Sequence, residues 1–305
     1  MPNGRLGRSP NIVRSIGLVP AICYVVFALT PIALLTAYSV YAQSGYTFKP
    51  ALDFGNYASG ITGAGDMSLL GKTVVVMFAA AAVSTFIAYA VVYCVAIVVP
   101  RFLRGMMMIA LFALFAGYLV RVFAWRILLG DEGIIATLAG HSHLLTAIGN
   151  LANTRWAVLL ALVNFSVPLC ILPIASTFSG LDRQLLGASR DLGAGPWVTF
   201  RGVVFPLTFR GAAFAFAIAF ILCAGDYVTP ALLGGMDGFM FASLIAQQFT
   251  LTFDWPLGAV LAIILMTTVV IVVSTVYLII GTVARRMSGA SATGAEVARR
   301  SAIMT

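Results

Sequence analysis

The chain has 305 residues, of which 61% are hydrophobic and only 9% are charged, and its net charge is +8. So little charge and so much apolar surface exclude a soluble domain. The positive charge does not indicate a nucleic-acid partner, because the sequence has no basic patch with interleaved aromatic residues and no nucleic-acid-binding motif. Several runs reach the roughly 20 apolar residues that cross a bilayer, which predicts a polytopic membrane protein.

Six apolar segments predict an all-α membrane fold with six transmembrane helices. The first segment is too long for a signal peptide and is predicted to be an uncleaved span. Alanine and glycine in the second and fifth segments favour close packing of helices in lipid. The spans are predicted at about residues 16–41, 69–99, 105–129, 155–178, 207–225 and 256–283.

Polar stretches between these spans complete the predicted organisation. Outer loops are expected at residues 43–66, 130–154 and 226–255, and Phe239–Phe249 in the last of them is a candidate interfacial helix. The predicted parts are a tail (1–15), the first helix with its outer loop (16–68), a core of five helices containing a polar loop at 179–206 (69–280) and a second tail (281–305).

The cysteines and histidines do not indicate a metal site or a cofactor. His141 and His143 are two positions apart and would face different sides of a helix, so an exposed loop is predicted for them. The four cysteines lie in different apolar segments and are predicted to be small buried residues. They are Cys23, Cys94, Cys170 and Cys223.

The basic residues are distributed unequally between the two sides of the predicted topology. Lys49, Lys72 and Arg155 are the outer ones, and Arg121 and Arg126 lie near the outer end of the third span. This asymmetry predicts that both termini and the 179–206 loop are cytoplasmic. The thirteen inner residues are Arg5, Arg8, Arg14, Arg101, Arg104, Arg183, Arg190, Arg201, Arg210, Arg285, Arg286, Arg299 and Arg300.

The acidic residues have the opposite distribution. Three of them, Asp182, Asp191 and Glu296, are on the predicted inner side. An acidic outer face favours a cationic solute by electrostatic focusing. The outer acids are Asp53, Asp66, Asp131, Glu132, Asp226, Asp237 and Asp254.

The 179–206 loop has the pattern of two short helices. Ser179 and Asp182 fit a capping box, S-x-x-D, at the start of the first. Gly193 is placed to end that helix with a positive φ, and Pro196 suits the first turn of the second. Such a loop between two spans predicts a docking surface rather than a catalytic site. Its apolar stripe is Leu181, Leu185, Ala188 and Leu192.

This loop resembles the EAA motif of type I ABC-transporter permeases, which reads E-A-A, three residues, G, nine residues, then I-x-L-P. Ala188, Gly193 and the string VVFP ending at Pro206 match that spacing. The sequence departs from it at Gly187, in place of Glu, and at Ser189, in place of the second Ala. The strings RDLGA, FPLT, YLVRVFAWRILLGDEG and GDYVTPALLGG are similar to the permeases for spermidine and putrescine.

The resemblance implies the type I ABC importer permease fold and a transport subunit in the bacterial inner membrane, surrounded by lipid. It implies a second permease subunit, ATP-binding cassette ATPase subunits that grip the loop, and an external solute-binding protein that delivers a polyamine. The sequence has no Walker A, G-x-S-x-G or H-E-x-x-H motif, so the chain is not expected to be an enzyme. The implied coupling residues are Leu185, Gly187, Ala188, Ser189, Asp191, Leu192, Gly193 and Pro206.

Four residues are candidates for the translocation pathway: Arg121, Trp125, Asp226 and Tyr227. A charge in hydrocarbon is costly, so Arg121 either reaches the outer interface or a neighbouring helix, or it lines the pathway. Trp125 would anchor the level of that interface. Asp226 either caps an element at the end of the fifth span or takes part in gating the solute.

Two other classes of function remain open at this stage, besides an ABC permease for a different small solute. A secondary transporter driven by an ion gradient would show inverted repeats and ionisable residues near the membrane midplane. The sequence shows no repeat, and its intramembrane charges cluster near one surface. A membrane-embedded enzyme would need a catalytic constellation within the spans, and none is visible.

Overall fold

The computed structural model describes residues 10–44, 47–130, 133, 137 and 153–303. The prediction for His141 and His143 lies outside this part of the chain. The chain divides into two compact units. One holds the chain up to Ala64 together with Ile245–Ile264, and the other holds Gly65–Leu244 and the chain from Leu265 onward. The domain boundaries drawn from the sequence stay a prediction.

The first unit contains a β-hairpin and a short helix where the sequence analysis predicted an outer loop. Asp53 Oδ1 accepts a hydrogen bond from the backbone N of Gly55 at 2.8 Å, which starts the short helix. Asn56 Nδ2 donates to the carbonyl oxygen of Tyr41 at 3.0 Å and ties that helix to the hairpin. The elements are α1 (Pro10–Ser39), the antiparallel strands β1 (Tyr41–Ser44) and β2 (Thr47–Leu52), and α2 (Gly55–Thr62).

The predicted second span is confirmed as one long helix, but the third span is broken. Its two helices meet at 83°, so the prediction of one helix over 105–129 is wrong. Ala116 and Gly117 leave the helical conformation, with ψ of 122° and 125°. Side chains just beyond the break bind groups elsewhere in the unit, as described below. The elements are α3 (Ala64–Val98), α4 (Leu103–Phe115) and α5 (Tyr118–Leu129).

Small residues bring the fourth and fifth spans close together, as the alanine-rich composition predicts. A Cβ on Gly211 would lie 2.6 Å from Thr177 Cγ2 and 3.0 Å from the carbonyl oxygen of Pro173. The elements are α6 (Arg155–Ser179), α7 (Arg183–Asp191), α8 (Pro196–Thr199), a π-helical turn (Phe200–Val204) and α9 (Phe205–Gly225).

Burial was predicted for all four cysteines, and it holds for Cys170 and Cys223 but not for the exposed Cys23 and Cys94.

The remaining elements are α10 (Val228–Leu233), α11 (Phe241–Thr250) and α12 (Trp255–Ile303). The helix predicted at Phe239–Phe249 is present as α11. Both predicted tails are partly helical, because α1 begins at Pro10 and α12 continues to Ile303. The apolar part of α12 ends at Thr282, so hydropathy marks the end of the span and not of the helix.

Five helices of the described chain are long and apolar enough to cross a membrane, or six if the bent pair α4–α5 forms one span. The fold class is therefore that of a helical polytopic membrane protein, as predicted. The two-stranded hairpin is the one departure from an all-α fold among the described residues.

Candidate functional site

The 179–206 segment forms two short helices between α6 and α9. Ser179 is the last residue of α6, and its Oγ donates to the carbonyl oxygen of Ala175 at 2.9 Å. Asp182 alone caps α7, where its Oδ1 accepts from the backbone N of Gln184 at 2.9 Å. The predicted capping box is therefore wrong, because the Ser179 hydroxyl is held one turn back in α6.

Gly193 ends α7 with a φ of +76°, which confirms the predicted positive φ. Its backbone N donates to the carbonyl oxygen of Arg190 at 2.8 Å, and that of Ala194 donates to Ser189 at 3.1 Å. These two bonds form a Schellman motif, which satisfies carbonyls that the helix end leaves open. A Cβ on Gly193 would have no atom within 4 Å. The requirement for glycine therefore comes from the backbone and not from packing.

The two short helices leave large apolar side chains uncovered. Leu192 is 87% exposed, Trp197 is 69% exposed and Leu185 is 45% exposed. Such exposure within one short segment is typical of a surface that another protein covers. Of the other predicted coupling residues, Gly187, Ala188 and Asp191 are exposed, whereas Ser189 and Pro206 are half-buried.

Side-chain contacts hold the two short helices to each other and to α3. Ser189 Oγ lies 2.9 Å from Thr199 Oγ1, and Thr199 is buried. The Trp197 ring stacks on Phe200 with centroids 5.6 Å apart. Phe200 in turn meets Tyr93 of α3 edge to face at 5.2 Å. The exposed Trp197 is thus joined to a membrane-spanning helix through two ring contacts.

A π-helical turn, Phe200–Val204, connects α8 to α9. Pro206 follows it and has no N–H to donate to the carbonyl of Gly202, so the regular α-helical pattern cannot continue there. Tyr89 of α3 braces the turn, because its hydroxyl lies 2.7 Å from Thr208 Oγ1, which also donates to the carbonyl of Val204 at 2.8 Å. Single π-turns within helices often occur at functional sites.

Arg121 bridges the break between α4 and α5. Its Nη2 donates to the carbonyl oxygen of Ala113, and its guanidinium carbon lies 5.6 Å from the centre of the Phe165 ring. The buried Nη1 has no hydrogen-bond partner within the described residues. Trp125 is half-buried and Arg126 is exposed on the same helix. In this geometry Arg121 contacts neighbouring helices, which corresponds to one of the alternatives drawn from the sequence. A role of Arg121 in the pathway stays a prediction.

Asp226 follows α9 and accepts hydrogen bonds at both carboxylate oxygens. Oδ1 accepts from the Tyr118 hydroxyl at 2.5 Å, and Oδ2 accepts from the Thr229 hydroxyl at 2.6 Å. Oδ1 also accepts from the backbone N of Val228 and Thr229, at 3.0 Å each. The side chain thus caps α10 and joins it to α5. A gating role for Asp226 stays a prediction, as does the pathway role of the half-exposed Tyr227.

Arg121 and Asp226 belong to one cluster that the sequence analysis did not foresee. Phe165 connects them, because its ring contacts the Arg121 guanidinium and meets the Tyr118 ring at 5.3 Å. Tyr118 and Thr229 are 111 positions apart, so no local pattern could mark them as partners. The cluster and the 179–206 segment lie at opposite ends of α9 and are not brought together.

The same fold occurs in a solved chain of a bacterial ABC transporter involved in the import of the acidic polysaccharide alginate. The superposition covers 92% of this chain and 99% of that chain, with a TM-score of 0.60 at 15% sequence identity. This similarity defines the fold class.

The chain is also similar in sequence to curated proteins from several bacteria. The spermidine/putrescine transport system permease protein PotB of Haemophilus influenzae is 29% identical over 164 residues, which is 54% of this chain and 57% of that protein. The inner membrane ABC transporter permease protein YdcU of Escherichia coli is 32% identical over 162 residues, which is 50% of this chain and 51% of that protein. The chain thus spans about half the length of the curated relatives it matches.

Residues 88–288 match the family model described as binding-protein-dependent transport system inner membrane component, and the chain belongs to this family. The matched region includes the whole 179–206 segment and the cluster around Asp226. Membership confirms the resemblance that the spacing of Ala188, Gly193 and Pro206 indicated.

Proposed function

We propose that the chain is the membrane-spanning permease subunit of a bacterial ABC importer and that it docks a separate ATPase subunit through the 179–206 segment. The observation that carries this proposal is the uncovered apolar surface at Leu185, Leu192 and Trp197. The Schellman motif at Gly193 and the Ser189–Thr199 contact hold this surface in one shape. A preorganised surface loses little conformational entropy when it binds.

The docked segment can transmit movement to the spans through its aromatic contacts. Trp197, Phe200 and Tyr93 connect it to α3, and the Tyr89–Thr208 bond connects α3 to the start of α9. Closure of the ATPase subunits around ATP would shift the spans between inward-open and outward-open states. Because Gly187 stands where the family has Glu, this docking relies on apolar contacts rather than on a salt bridge from that position.

The proposed assembly contains a second permease subunit, ATPase subunits and an external solute-binding protein. The sequence has no ATPase motif, so the energy for transport comes from the separate subunits. Both termini and the 179–206 segment are cytoplasmic in this proposal, supported by the excess of arginine on that side. The predicted permease core, residues 69–280, contains both the docking segment and the membrane pathway.

The proposed solute is a polyamine. The name of the Haemophilus influenzae relative and the acidic residues of the predicted outer loops support a small cation. Asp226 is engaged by the Tyr118 and Thr229 hydroxyls and by two backbone amides, so we assign it to holding α10. Tyr227, which is 51% exposed, and Trp125 are the better candidates for contact with the solute.

Reconstitution tests the class of transporter and the substrate separately. The chain is placed in proteoliposomes with its partner permease, ATPase and binding protein, and uptake of labelled spermidine, putrescine, an amino acid and a sugar is measured. The proposal predicts polyamine uptake that requires ATP and the ATPase. Uptake driven by a proton or sodium gradient without ATP would contradict the ABC assignment, whereas ATP-dependent uptake of another solute would contradict only the polyamine.

A further inference from the structure

A cavity of about 490 Å³ lies in the second unit between α3, α6 and the loop after α10. It is at the Arg155 end of α6, opposite the 179–206 segment. Its size is within the range of small-molecule and cofactor sites. Its lining combines half-buried apolar side chains with exposed charged side chains, which form its rim. The apolar ones include Val76, Leu159 and Phe239, and the charged ones are Lys72, Arg155 and Asp237.

The rim carries two cations and one anion. Arg155 Nε and Nη2 each donate to an Asp237 carboxylate oxygen at 3.1 Å, and both side chains are about half exposed. These hydrogen bonds hold the pKa of Asp237 below its ordinary value, and the nearby Lys72 acts in the same direction. The carboxylate is therefore charged at neutral pH. Lys72 and Arg155 against Asp237 leave the rim with a net charge of +1.

The loop side of the cavity is already formed. The backbone N of Phe241 donates to the buried Thr73 Oγ1 of α3 at 2.9 Å. Gly234 and Gly238 pack backbone against backbone, since a Cβ on Gly238 would lie 2.5 Å from the Gly234 Cα. The backbone N of Gly238 donates to the carbonyl of Gly234 at 2.7 Å. A ligand would not have to order this loop on binding.

We propose that this cavity binds one phosphatidylglycerol molecule, with its phosphodiester between Lys72 and Arg155 and an acyl chain along α3 and α6. Both helices are membrane-spanning candidates whose apolar windows begin at Met67 and Arg155, which puts the rim at the level of lipid headgroups. The half-exposed Trp156 suits this interfacial level.

Charge selects this lipid over other occupants. The rim charge complements one phosphodiester, which Lys and Arg bind by charge-assisted hydrogen bonds. Arg155 keeps its Nη1 available because Asp237 uses Nε and Nη2. A cationic solute would be repelled by the rim, and a zwitterionic lipid brings no net charge to match it.

Quenching of Trp156 by lipids with brominated acyl chains tests the proposal. The assembled transporter in detergent is titrated with brominated phosphatidylglycerol or phosphatidylethanolamine, and the Trp156 signal is the difference between the native chain and Trp156→Phe. We expect quenching to saturate at lower concentrations of phosphatidylglycerol than of phosphatidylethanolamine. Lys72→Gln should weaken the apparent affinity of the transporter for phosphatidylglycerol about fivefold, and Asp237→Asn should strengthen that affinity about fivefold.

Arg126→Gln is the matched control, because Arg126 is exposed on α5 and does not line the cavity. It should leave the titration unchanged. Equal quenching by both lipids, with no effect of Lys72→Gln or Asp237→Asn, would overturn the proposal in favour of general contact with the bilayer. No quenching by either lipid would also overturn it and would indicate that another protein subunit covers the cavity.

Discussion

Gly193 shapes the 179–206 segment, the proposed docking surface, through one backbone torsion. Its φ of +76° lies in the left-handed region, where an L-residue costs roughly 1–2 kcal/mol. No atom lies near the position that a Cβ would take. A substitution there therefore changes the shape of the 179–206 segment without disturbing any packed neighbour, so docking can be tested separately from folding.

Gly193→Val should leave the chain in the membrane but reduce capture of the ATPase subunit by about tenfold, because the Schellman motif would open. Co-purification of the ATPase with the tagged permease measures this. Gly225→Ala is the control, since Gly225 lies at the opposite end of α9 from this segment and its Cβ would also be free of neighbours. Alanine stabilises a helix by about 1 kcal/mol over glycine. Equal ATPase capture by both variants would contradict the role of Gly193.

Arg121 should stabilise the bend between α4 and α5. Arg121→Leu removes the donor to the Ala113 carbonyl, which costs about 1–3 kcal/mol when the carbonyl is left buried. The melting temperature in detergent should fall by several degrees. The melting temperature of Arg121→Lys should lie between those of the native chain and Arg121→Leu, because lysine keeps the charge but lacks the planar guanidinium group. Arg126→Leu should have little effect. An Arg121→Leu chain of native stability that cannot transport would instead assign Arg121 to the pathway.

At the scale of elements, hydropathy predicted the spans well where an apolar run forms one helix. It located α3 and α6 to within a few residues. It missed the 83° bend because α4 and α5 together are apolar enough to be read as one span across Ala116 and Gly117. What holds Tyr118 is the carboxylate of Asp226, 108 positions away. Interactions over that distance are not visible in a local pattern, whereas the helix end at Gly193 is a local feature and was predicted.

The close approach of α6 and α9 should depend on Gly211. Gly211→Ala should lower stability by about 1–3 kcal/mol, because the new methyl group meets Thr177 and the Pro173 carbonyl. Adding Thr177→Ala should recover part of this loss, and a double-mutant cycle measures the coupling. Gly225→Ala, on the same helix with no neighbour within 4 Å, is the control. A Gly211→Ala chain as stable as the Gly225→Ala chain would contradict this packing.

At the scale of the molecule, the second unit has different chemistry at the two ends of α6 and α9. One end carries the exposed apolar segment around Leu192, and the other carries the Arg155–Asp237 pair and the Asp226 cluster. The order of the spans and the helix end at Gly193 could be predicted, because each depends on a short run of residues. The β1–β2 hairpin and the Tyr118–Asp226 contact could not, because they depend on pairing between separate runs.

Thiol labelling tests which end faces the outside. In a chain without its native cysteines, Met236→Cys should react with a membrane-impermeant reagent in whole cells, because Met236 is 99% exposed. Gly235 is unsuitable, since a Cβ there would lie 2.7 Å from Asn153. Leu192→Cys should react only after the membrane is opened. The reverse pattern would contradict the cytoplasmic location of the 179–206 segment.

A cross-link between position 192 and the ATPase subunit tests the docking proposal most directly. Leu192 is 87% exposed at the end of α7. In a chain without its native cysteines, Leu192→Cys labelled with a thiol-reactive photocross-linker should therefore give a product containing one permease and one ATPase when the assembled transporter is illuminated. Met236→Cys, at the opposite end of α6, should give none. An active transporter in which Leu192→Cys and Leu185→Cys both fail to cross-link, while cysteines elsewhere on the chain do so, would contradict docking through this segment.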